Sequence, residues 1–390
     1  MSENTKKNIR GVVIVYFVTS LFKQASMLVS LILSDAAVQF PKASATSIQM
    51  IYTMCTVGGL LGVALGGKLP CIINKKKLLI IFSFFQLIAG IIGITGNHSI
   101  GLLCFASCLI GIGSYALAGI LSALVVENID DRTKQASIMG KQSIFVNIGG
   151  MIMMIVGGSL EKQKFANVYK CFFFNIIIIL LALSLLPDGP LEKLKKENGN
   201  KSGISKGMLP ILIGTLCFGL GFMVYSTNIS FLTGSLHLTA VEAGYANTLF
   251  MVGAVVSGLL VKKSIRIFKT KTMAVSLWIL AAGLLVEANA VNLAAMLVGA
   301  FLIGFGFGTF CPVGFSTVPA LTSGNPSAGL AMFTGSMTIG QIISPLIITN
   351  LAGSANGGIT RRYMIGMIIT IIGGFILTAV KLAVQPVKDN

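Results

Sequence analysis

Lys23 lies near the middle of the first long apolar segment of the chain, residues 11–33. A lysine at mid-membrane costs roughly 2.5–3.5 kcal/mol on insertion scales, so such a residue usually faces a water-filled cavity or a partner. The other members of the same spacing series, three or four residues apart, are Ser20, Met27, Ser30 and Ser34. The spacing predicts a polar stripe along one face of a continuous helix. Because a charge within the membrane often marks an ion or substrate path, we expect Lys23 to be an electrostatic anchor for a solute.

No acidic residue is placed to neutralise Lys23 at its own depth. The chain has 12 Asp and Glu residues, and none falls in the middle third of an apolar segment. Asp35, Glu242 and Glu287 lie near outer ends, and Glu127 lies near an inner end. We therefore expect a negatively charged substrate, and a proton relay built on a mid-membrane carboxylate has no candidate. The structural alternative is a lysine that binds backbone carbonyls or loses its proton on burial.

Further polar residues in the apolar segments are candidates for orienting a bound solute. They are Gln24, Tyr52, Tyr115, Asn147, Tyr225, Asn228, Asn247 and Gln341. Tyr225 and Asn228 are three residues apart, which predicts a shared helix face. Each of these residues alone is equally well explained by a hydrogen bond between packed helices.

The composition predicts the class of protein that must position these residues. Of the 390 residues, 54% are hydrophobic and 11% are charged, and the mean hydropathy is +0.88. Soluble domains carry about 25% charged residues. Apolar windows long enough to span a bilayer recur about twelve times. We therefore expect an all-α membrane protein with twelve transmembrane helices in two six-helix bundles, residues 1–187 and 208–390, joined by a cytoplasmic linker, residues 188–207.

The basic residues indicate an orientation rather than a polyanionic partner. The formal charge is +17 and 29 residues are Lys or Arg, of which Lys23 and Lys141 fall inside apolar segments. Those expected in outer segments are Lys42, Lys162, Lys164, Lys170, Arg361 and Arg362, which leaves 21 in cytoplasmic segments. By the positive-inside rule both termini lie in the cytoplasm. We expect the lipid bilayer, and not nucleic acid, as the partner of this charge.

Catalytic and metal-binding chemistry has little support in the sequence. The seven cysteines lie in or beside apolar segments, and none has metal-ligand spacing with a histidine. No nucleophile–base pair is visible. We therefore expect no enzymatic activity, no metal and no cofactor. A sensor or channel is disfavoured because the chain shows neither a signalling domain nor a ring of pore-lining residues.

The two halves of the chain resemble each other in their glycine spacing. Val57-Gly-Gly-Leu-Leu-Gly-Val parallels Val252-Gly-Ala-Val-Val-Ser-Gly, and Leu109-Ile-Gly-Ile-Gly parallels Leu302-Ile-Gly-Phe-Gly. The offsets between the paired motifs, 195 and 193 residues, are nearly equal. They predict a duplicated six-helix unit, the plan of many secondary transporters.

With six plus six apolar windows and this repeat, the whole chain resembles the major facilitator superfamily. The segment after the second window is similar to the family's loop signature, a Gly, an Asp-Arg pair, a second Gly and a basic cluster. The matching residues are Gly67, Lys75, Lys76 and Lys77, whereas Cys71, Ile72 and Asn74 replace the acidic, basic and second Gly positions. The run from Gly340 to Pro345 is similar to the family's eleventh helix.

The resemblance implies a cytoplasmic gate after the second and fourth windows. Glu127 is expected to pair with the basic cluster Lys75–Lys77, and Arg132 is expected to brace the same gate. The alternative is that these residues are solvated loop charges, where a surface pair is worth at most about 1 kcal/mol.

The resemblance implies a secondary active or facilitative transporter that works by alternating access in the cytoplasmic membrane. We expect a monomer that moves a small organic solute, preferably an organic anion held by Lys23. Facilitated diffusion or anion exchange fits better than proton symport, and a coupling ion or counter-substrate stays open. The alternative is a multidrug-type exporter of hydrophobic or cationic compounds. Lys23 disfavours it, and Ser107, Met153 and Met154 depart from residues common in proton-driven exporters.

Overall fold

The computed structural model describes residues 3–129, 132–187, 203–204, 208–318, 322–323, 326–353 and 358–378. Its helices, in chain order, are α1 Glu3–Ser20, α2 Leu33–Gln39, α3 Ala45–Lys68, α4 Lys75–Thr95, α5 Ile100–Asn128, α6 Arg132–Glu161, α7 Asn175–Leu185, α8 Met208–Ser235, α9 Ala240–Phe268, α10 Thr272–Ala288, α11 Leu293–Thr317, α12 Pro326–Ser344, α13 Asn350–Ala352 and α14 Gly358–Thr378. Four 3₁₀ segments, Ala25–Ser30, Leu69–Cys71, Phe165–Phe174 and Lys269–Lys271, and a π turn at Pro345–Thr349 connect them. Two short strands, β1 Gly203–Ile204 and β2 Thr322–Ser323, pair antiparallel.

The described chain contains eleven segments that are long and apolar enough to cross a membrane. One of them, Ala240–Ala288, holds both α9 and α10 with a single 3₁₀ turn between them. The predicted class of an all-helical membrane protein is confirmed. The predicted linker, residues 188–207, falls largely outside the described residues.

The chain forms two compact units. Unit 1 consists of Met1–Pro41 and Met50–Lys196, and unit 2 consists of Lys42–Gln49 and Glu197–Asn390. The first turn of α3 therefore belongs to unit 2. In unit 1, α4 packs on α5 and α7, while α1 packs on α5, α6 and α7. In unit 2, α11 packs on α9 and α10, and α8 packs on α12 and α14.

The first apolar segment is broken where the sequence predicts one continuous helix. α1 ends at Ser20, and the next backbone hydrogen bonds, such as Lys23 N–H to Ser20 O, join residues three apart. The chain then continues as a 3₁₀ segment before α2 begins at Leu33. The predicted polar stripe is wrong, because Ser20 and Ser30 are buried and bond to backbone carbonyls of their own turns while Lys23 is exposed.

The break is held from two sides by neighbouring elements. A Cβ atom at Gly149 of α6 would overlap the backbone of Leu21, so the missing side chain lets α6 approach the turn closely. The Phe22 ring stacks on Phe174 with centroids 3.5 Å apart. Gln142 donates to the Ser20 hydroxyl at 3.2 Å, just before the turn. These packing contacts and this side-chain hydrogen bond stabilise the segment in which the α-helical backbone hydrogen bonds are interrupted.

The repeated glycines carry matching helix contacts in the two units. A Cβ at Gly58 of α3 would overlap the carbonyl oxygen of Cys108 in α5. At the paired position, a Cβ at Gly253 of α9 would overlap the carbonyl oxygen of Phe301 in α11. The second motif behaves in the same way, because Gly111 lies against Cys55 and Gly304 lies against Phe250. These glycines therefore pack helices tightly, as small residues do at membrane helix interfaces.

Candidate functional site

The Lys23 side chain lines a recess inside unit 1. The recess has a cavity volume of about 10 Å³, roughly the space of one water molecule. Its polar lining is Thr19, Lys23, Gln86 and Ser114, and its apolar lining is Phe22, Leu117, Ala118, Leu121 and Ile178. Lys23 lies in the break after α1, and its side chain lines this recess. Among the described residues, no carboxylate lies within ion-pair distance of Lys23.

Gln86 of α4 forms the polar wall of the recess together with Ser114 of α5. Its amide nitrogen donates to the Ser114 hydroxyl at 2.9 Å, and its side chain is 1% exposed. Gly113 makes room for it, since a Cβ there would contact the Gln86 side chain at 2.6 Å. The Gln86 carbonyl oxygen and the Thr19 hydroxyl are buried and have no hydrogen-bond partner. Sequence reasoning missed Gln86 and Ser114, which lie in otherwise apolar runs.

The other unit 1 candidates lie away from this lining. Gln24 precedes the 3₁₀ segment and makes no capping hydrogen bond. Tyr52 is buried in α3, and Asn147 is half-buried in α6. Tyr115 is 44% exposed, and its ring packs against Gly59 of α3. None of these four residues lines the recess around Lys23.

The unit 2 candidates are buried and largely engaged with one another. The Tyr225 hydroxyl donates to the Asn247 side-chain oxygen at 3.1 Å, so the structure brings these two predicted residues together. The Asn228 amide donates to the Val224 carbonyl at 2.8 Å and to the Thr227 hydroxyl at 3.1 Å. Gln341 is buried in α12. The Tyr225–Asn247 hydrogen bond joins α8 to α9, as the expected alternative of a helix–helix hydrogen bond has it, whereas these two Asn228 bonds stay within α8.

The Asn228 side-chain oxygen accepts two further hydrogen bonds, from residues that the sequence did not single out. Gln49, in the unit 2 part of α3, donates at 2.8 Å, and Arg362 of α14 donates at 3.0 Å. Gln49 also accepts a hydrogen bond from Thr349. Arg362 was expected in an outer segment, but it lies in the first turns of α14 and is 4% exposed. Arg362 directly precedes the twelfth apolar window, and this position is the signal in the sequence that could have placed it in a helix.

Glu287 changes the expectation about proton relays. It lies at the end of α10, as predicted, but it is completely buried. Both carboxylate oxygens lack a hydrogen-bond partner, and the side chain packs against Gly299 of α11. The Tyr363 hydroxyl is buried nearby and is likewise unpartnered. A buried carboxylate is therefore present in unit 2, near the end of α10 and not in the middle third of the segment to which the expectation referred.

The expected ion pair at the loop after α3 is present. Lys75 Nζ lies 3.0 Å from Glu127 Oε2, and the exposed fractions of the two side chains are 5% and 20%. Solvated loop charges, the alternative, are therefore the wrong description of this pair. Gly67 lies in the last turn of α3, where a Cβ atom would meet nothing within 4 Å. Lys77 is exposed and Lys76 is half-buried. Arg132 begins α6, and its side chain lies outside the described part of the chain.

A sequence comparison assigns the family. The model of the Major Facilitator Superfamily matches residues 12–208 and 211–390. The chain belongs to this superfamily. It is therefore a multi-pass membrane protein of the cell membrane, in a family of transporters of small solutes.

Individual relatives are distant. Protein TsgA homolog from Erwinia tasmaniensis is 22% identical over 246 residues, which are 61% of this chain and 62% of that protein. The chain thus spans about three fifths of this relative's length. The crystal structure of the nucleoside transporter NupG has a TM-score of 0.76 at 15% identity, over 96% of this chain and 98% of that one. The inward-open xylose transporter XylE from E. coli has a TM-score of 0.72 at 13% identity, over 96% of both chains.

Proposed function

We propose that this member of the Major Facilitator Superfamily moves a small organic anion across the cytoplasmic membrane by alternating access. The single observation that carries the anion assignment is the exposed ammonium of Lys23 in a recess that contains no described carboxylate. A lysine whose surroundings have a low dielectric constant and contain no counter-ion attracts an anionic ligand more strongly than the same lysine in water. The Lys23 ammonium would bind the anionic group of the solute.

The proposed protein has twelve transmembrane helices and both termini in the cytoplasm. The helix count is supported by eleven candidate spans, one of which holds two helices. The orientation is supported by the excess of basic residues in the segments expected inside. In this orientation the Lys75–Glu127 pair lies at the cytoplasmic ends of α4 and α5, where Gly67, Lys76, Lys77 and Arg132 would complete a gate.

Two other substrate classes are less well supported. NupG and XylE, which share the fold, are named for a nucleoside and a sugar, and recognition of such neutral solutes would not require the charge of Lys23. Cationic compounds, the substrates of a multidrug-type exporter, would be repelled by the same ammonium. The unpartnered carboxyl of Glu287 leaves both coupled and facilitative transport open.

Thermal unfolding of the detergent-purified protein tests the anion assignment. A ligand that binds only the folded state stabilises it by about 2.7 kcal/mol at a hundredfold excess over Kd. The panel contains short carboxylates, matched neutral amides and matched amines. We expect the carboxylates alone to raise Tm, and Lys23→Ala to abolish that rise.

Lys141→Ala is the matched control, because Lys141 is an exposed lysine in α6 of the same unit and does not line the recess. This variant should keep the full response to carboxylates. If amides or amines stabilise wild type and Lys23→Ala equally, the substrate is not an anion held by Lys23.

A further inference from the structure

Five basic residues lie close together where α9 ends and α10 begins, and residues 262–271 are called the basic turn below. All five are exposed: Lys262, Lys263, Arg266, Lys269 and Lys271. The sequence contains no Asp or Glu between Glu242 and Glu287. Among the described residues, no carboxylate lies within ion-pair distance of any of the five. The described part of the chain therefore supplies no counter-charge for this group.

The short connection between the two helices keeps the basic turn close to the bilayer surface. Only the 3₁₀ turn Lys269–Lys271 joins α9 to α10, and both helices belong to one apolar segment, Ala240–Ala288. Three residues of 3₁₀ helix rise only about 6 Å. Leu259 is 80% exposed just before the basic residues, and Ile267 is 58% exposed among them. Exposed apolar side chains that alternate with basic ones are typical of a segment in the membrane interface.

Helix dipoles account for part of this group of charges. Arg266 lies in the last turn of α9, where the dipole favours positive charge. Lys269 and Lys271 instead precede the first turn of α10, where the dipole favours negative charge and no acidic residue is present. Lys262 and Arg266 are four residues apart, a spacing at which like charges destabilise a helix. A bound anion would offset both unfavourable interactions.

The backbone at Lys269 adopts a conformation that favours glycine. Its φ is 48°, and it is one of two non-glycine residues with positive φ among those described. Glycine adopts such a backbone without strain, whereas a residue with a side chain does not. Strained residues of this kind occur mainly at ligand-binding and switch sites. We therefore expect the Lys269 side chain to have a role that offsets the strain of its backbone.

The internal repeat allows a comparison with unit 1. With the repeat offsets of 195 and 193 residues, Lys75 corresponds to residues 268–270 and Glu127 corresponds to residues 320–322. Lys75 is buried and lies 3.0 Å from the Glu127 carboxylate, whereas Lys269 is exposed. Residues 320–322 are Ala, Leu and Thr. Unit 2 thus keeps the basic residue of this pair without the acidic one.

We propose that the basic turn binds the headgroup of an anionic phospholipid. Arg266 and the neighbouring lysines donate hydrogen bonds to the lipid phosphate. The exposed side chains of Ile267 and Phe268 contact the acyl chains, which favours a lipid over a soluble anion. Each basic residue near an anionic membrane surface strengthens binding roughly fivefold. The basic turn does not include Lys23, so this lipid site is independent of the proposed transport of an anion.

Thermal unfolding of the full-length protein in a neutral detergent tests the lipid site. The additives are dioleoylphosphatidylglycerol, dioleoylphosphatidylcholine and inorganic phosphate. We expect phosphatidylglycerol alone to raise the Tm of wild type, and the rise to shrink with added salt because exposed charges are screened. The variant Arg266→Gln/Lys269→Gln/Lys271→Gln should need at least about tenfold more phosphatidylglycerol for the same rise.

The matched control removes three exposed lysines of unit 1 and changes the net charge equally: Lys162→Gln/Lys164→Gln/Lys170→Gln. It should keep the full response to phosphatidylglycerol. Lys269→Gly separates the effects of backbone and side chain, because glycine relieves the strain at φ 48°. This variant should have a higher Tm than wild type without lipid and a weaker response to phosphatidylglycerol.

Three results would overturn the lipid site. Equal rises with phosphatidylglycerol and phosphatidylcholine would show that the headgroup charge is not recognised. Equal losses in the two triple variants would show a general attraction between a basic protein and anionic lipid. A rise with inorganic phosphate as large as that with phosphatidylglycerol would indicate a site for a soluble anion instead.

Discussion

Lys75 Nζ and Glu127 Oε2 lie 3.0 Å apart, and each residue stands at the helix end that disfavours its own charge. Lys75 is the first residue of α4, where the helix dipole favours negative charge. Glu127 lies one residue before the end of α5, where the dipole favours positive charge. The ion pair therefore offsets two unfavourable helix-end interactions in addition to the cost of burying Lys75.

Breaking this pair should destabilise unit 1. Glu127→Gln removes a carboxylate that lies 3.0 Å from the nearly buried Lys75 ammonium, so we expect a loss of roughly 3 kcal/mol, the low end for a broken buried pair. The charge-swapped double variant Lys75→Glu/Glu127→Lys restores the pair and places each charge at the helix end that favours it. It should be at least as stable as wild type in thermal unfolding.

Lys77→Glu is the control for these variants, because Lys77 is exposed in the same turn of α4. Its effect on Tm should be small. A double variant no more stable than Glu127→Gln alone would show that the two charges do not stabilise each other.

The same two residues show what sequence could and could not predict. The types and positions of the basic cluster and Glu127 resemble a family pattern, which predicts their pairing, and the structure contains the Lys75–Glu127 ion pair. For Lys23 the sequence predicts a place on a continuous helix, whereas the structure places it in the break after α1. The helix break depends on Gly149 in α6 and Phe174, which are far from Lys23 in sequence. Apolar periodicity in one segment contains no information about such contacts.

Prediction from the sequence was also limited for polar residues that are buried at helix ends. Arg362 and Glu287 lie at the borders of apolar windows, where sequence reading is uncertain by several residues. Arg362 was therefore counted as a loop charge and Glu287 as a residue near an outer end. Both are buried in unit 2, since α14 begins at Gly358 and α10 continues to Ala288. Whether a residue at the border of an apolar window is buried depends on tertiary packing.

The paired glycines give a test of the internal repeat. Gly111→Ala and Gly304→Ala place a methyl group against the carbonyl oxygens of Cys55 and Phe250, at corresponding positions of the two units. Overpacking of this kind typically costs about 1–3 kcal/mol, here because α5 and α11 would be pushed from α3 and α9. We expect both variants to lower Tm to a similar degree.

Gly119→Ala and Gly258→Ala serve as controls, because a Cβ at either position would meet nothing within 4 Å. Alanine is favoured over glycine in helices by up to about 1 kcal/mol, so these variants should keep or raise Tm. Equal losses at the control and test positions would mean that the loss does not come from the helix contacts.

Asn228 is the common acceptor for Gln49 and Arg362, which gives a third prediction. Asn228→Leu removes the oxygen to which both residues donate, and leaves the Arg362 guanidinium buried with its Nε–H already unpaired. Stranding a buried charged donor costs more than the roughly 1–3 kcal/mol of a neutral one. We expect Asn228→Leu to destabilise the protein by about 3 kcal/mol in thermal or denaturant unfolding.

Removing the stranded charge should recover most of that loss, because replacing both partners by apolar groups can be nearly neutral. The double variant Asn228→Leu/Arg362→Met should therefore be more stable than Asn228→Leu alone. Asn228→Leu/Arg361→Met is the matched comparison, since Arg361 is the exposed neighbour of Arg362, and it should show no recovery. If the two double variants are equally stable, the buried guanidinium does not depend on Asn228. The hydrogen bond between them would then contribute little to the stability of unit 2.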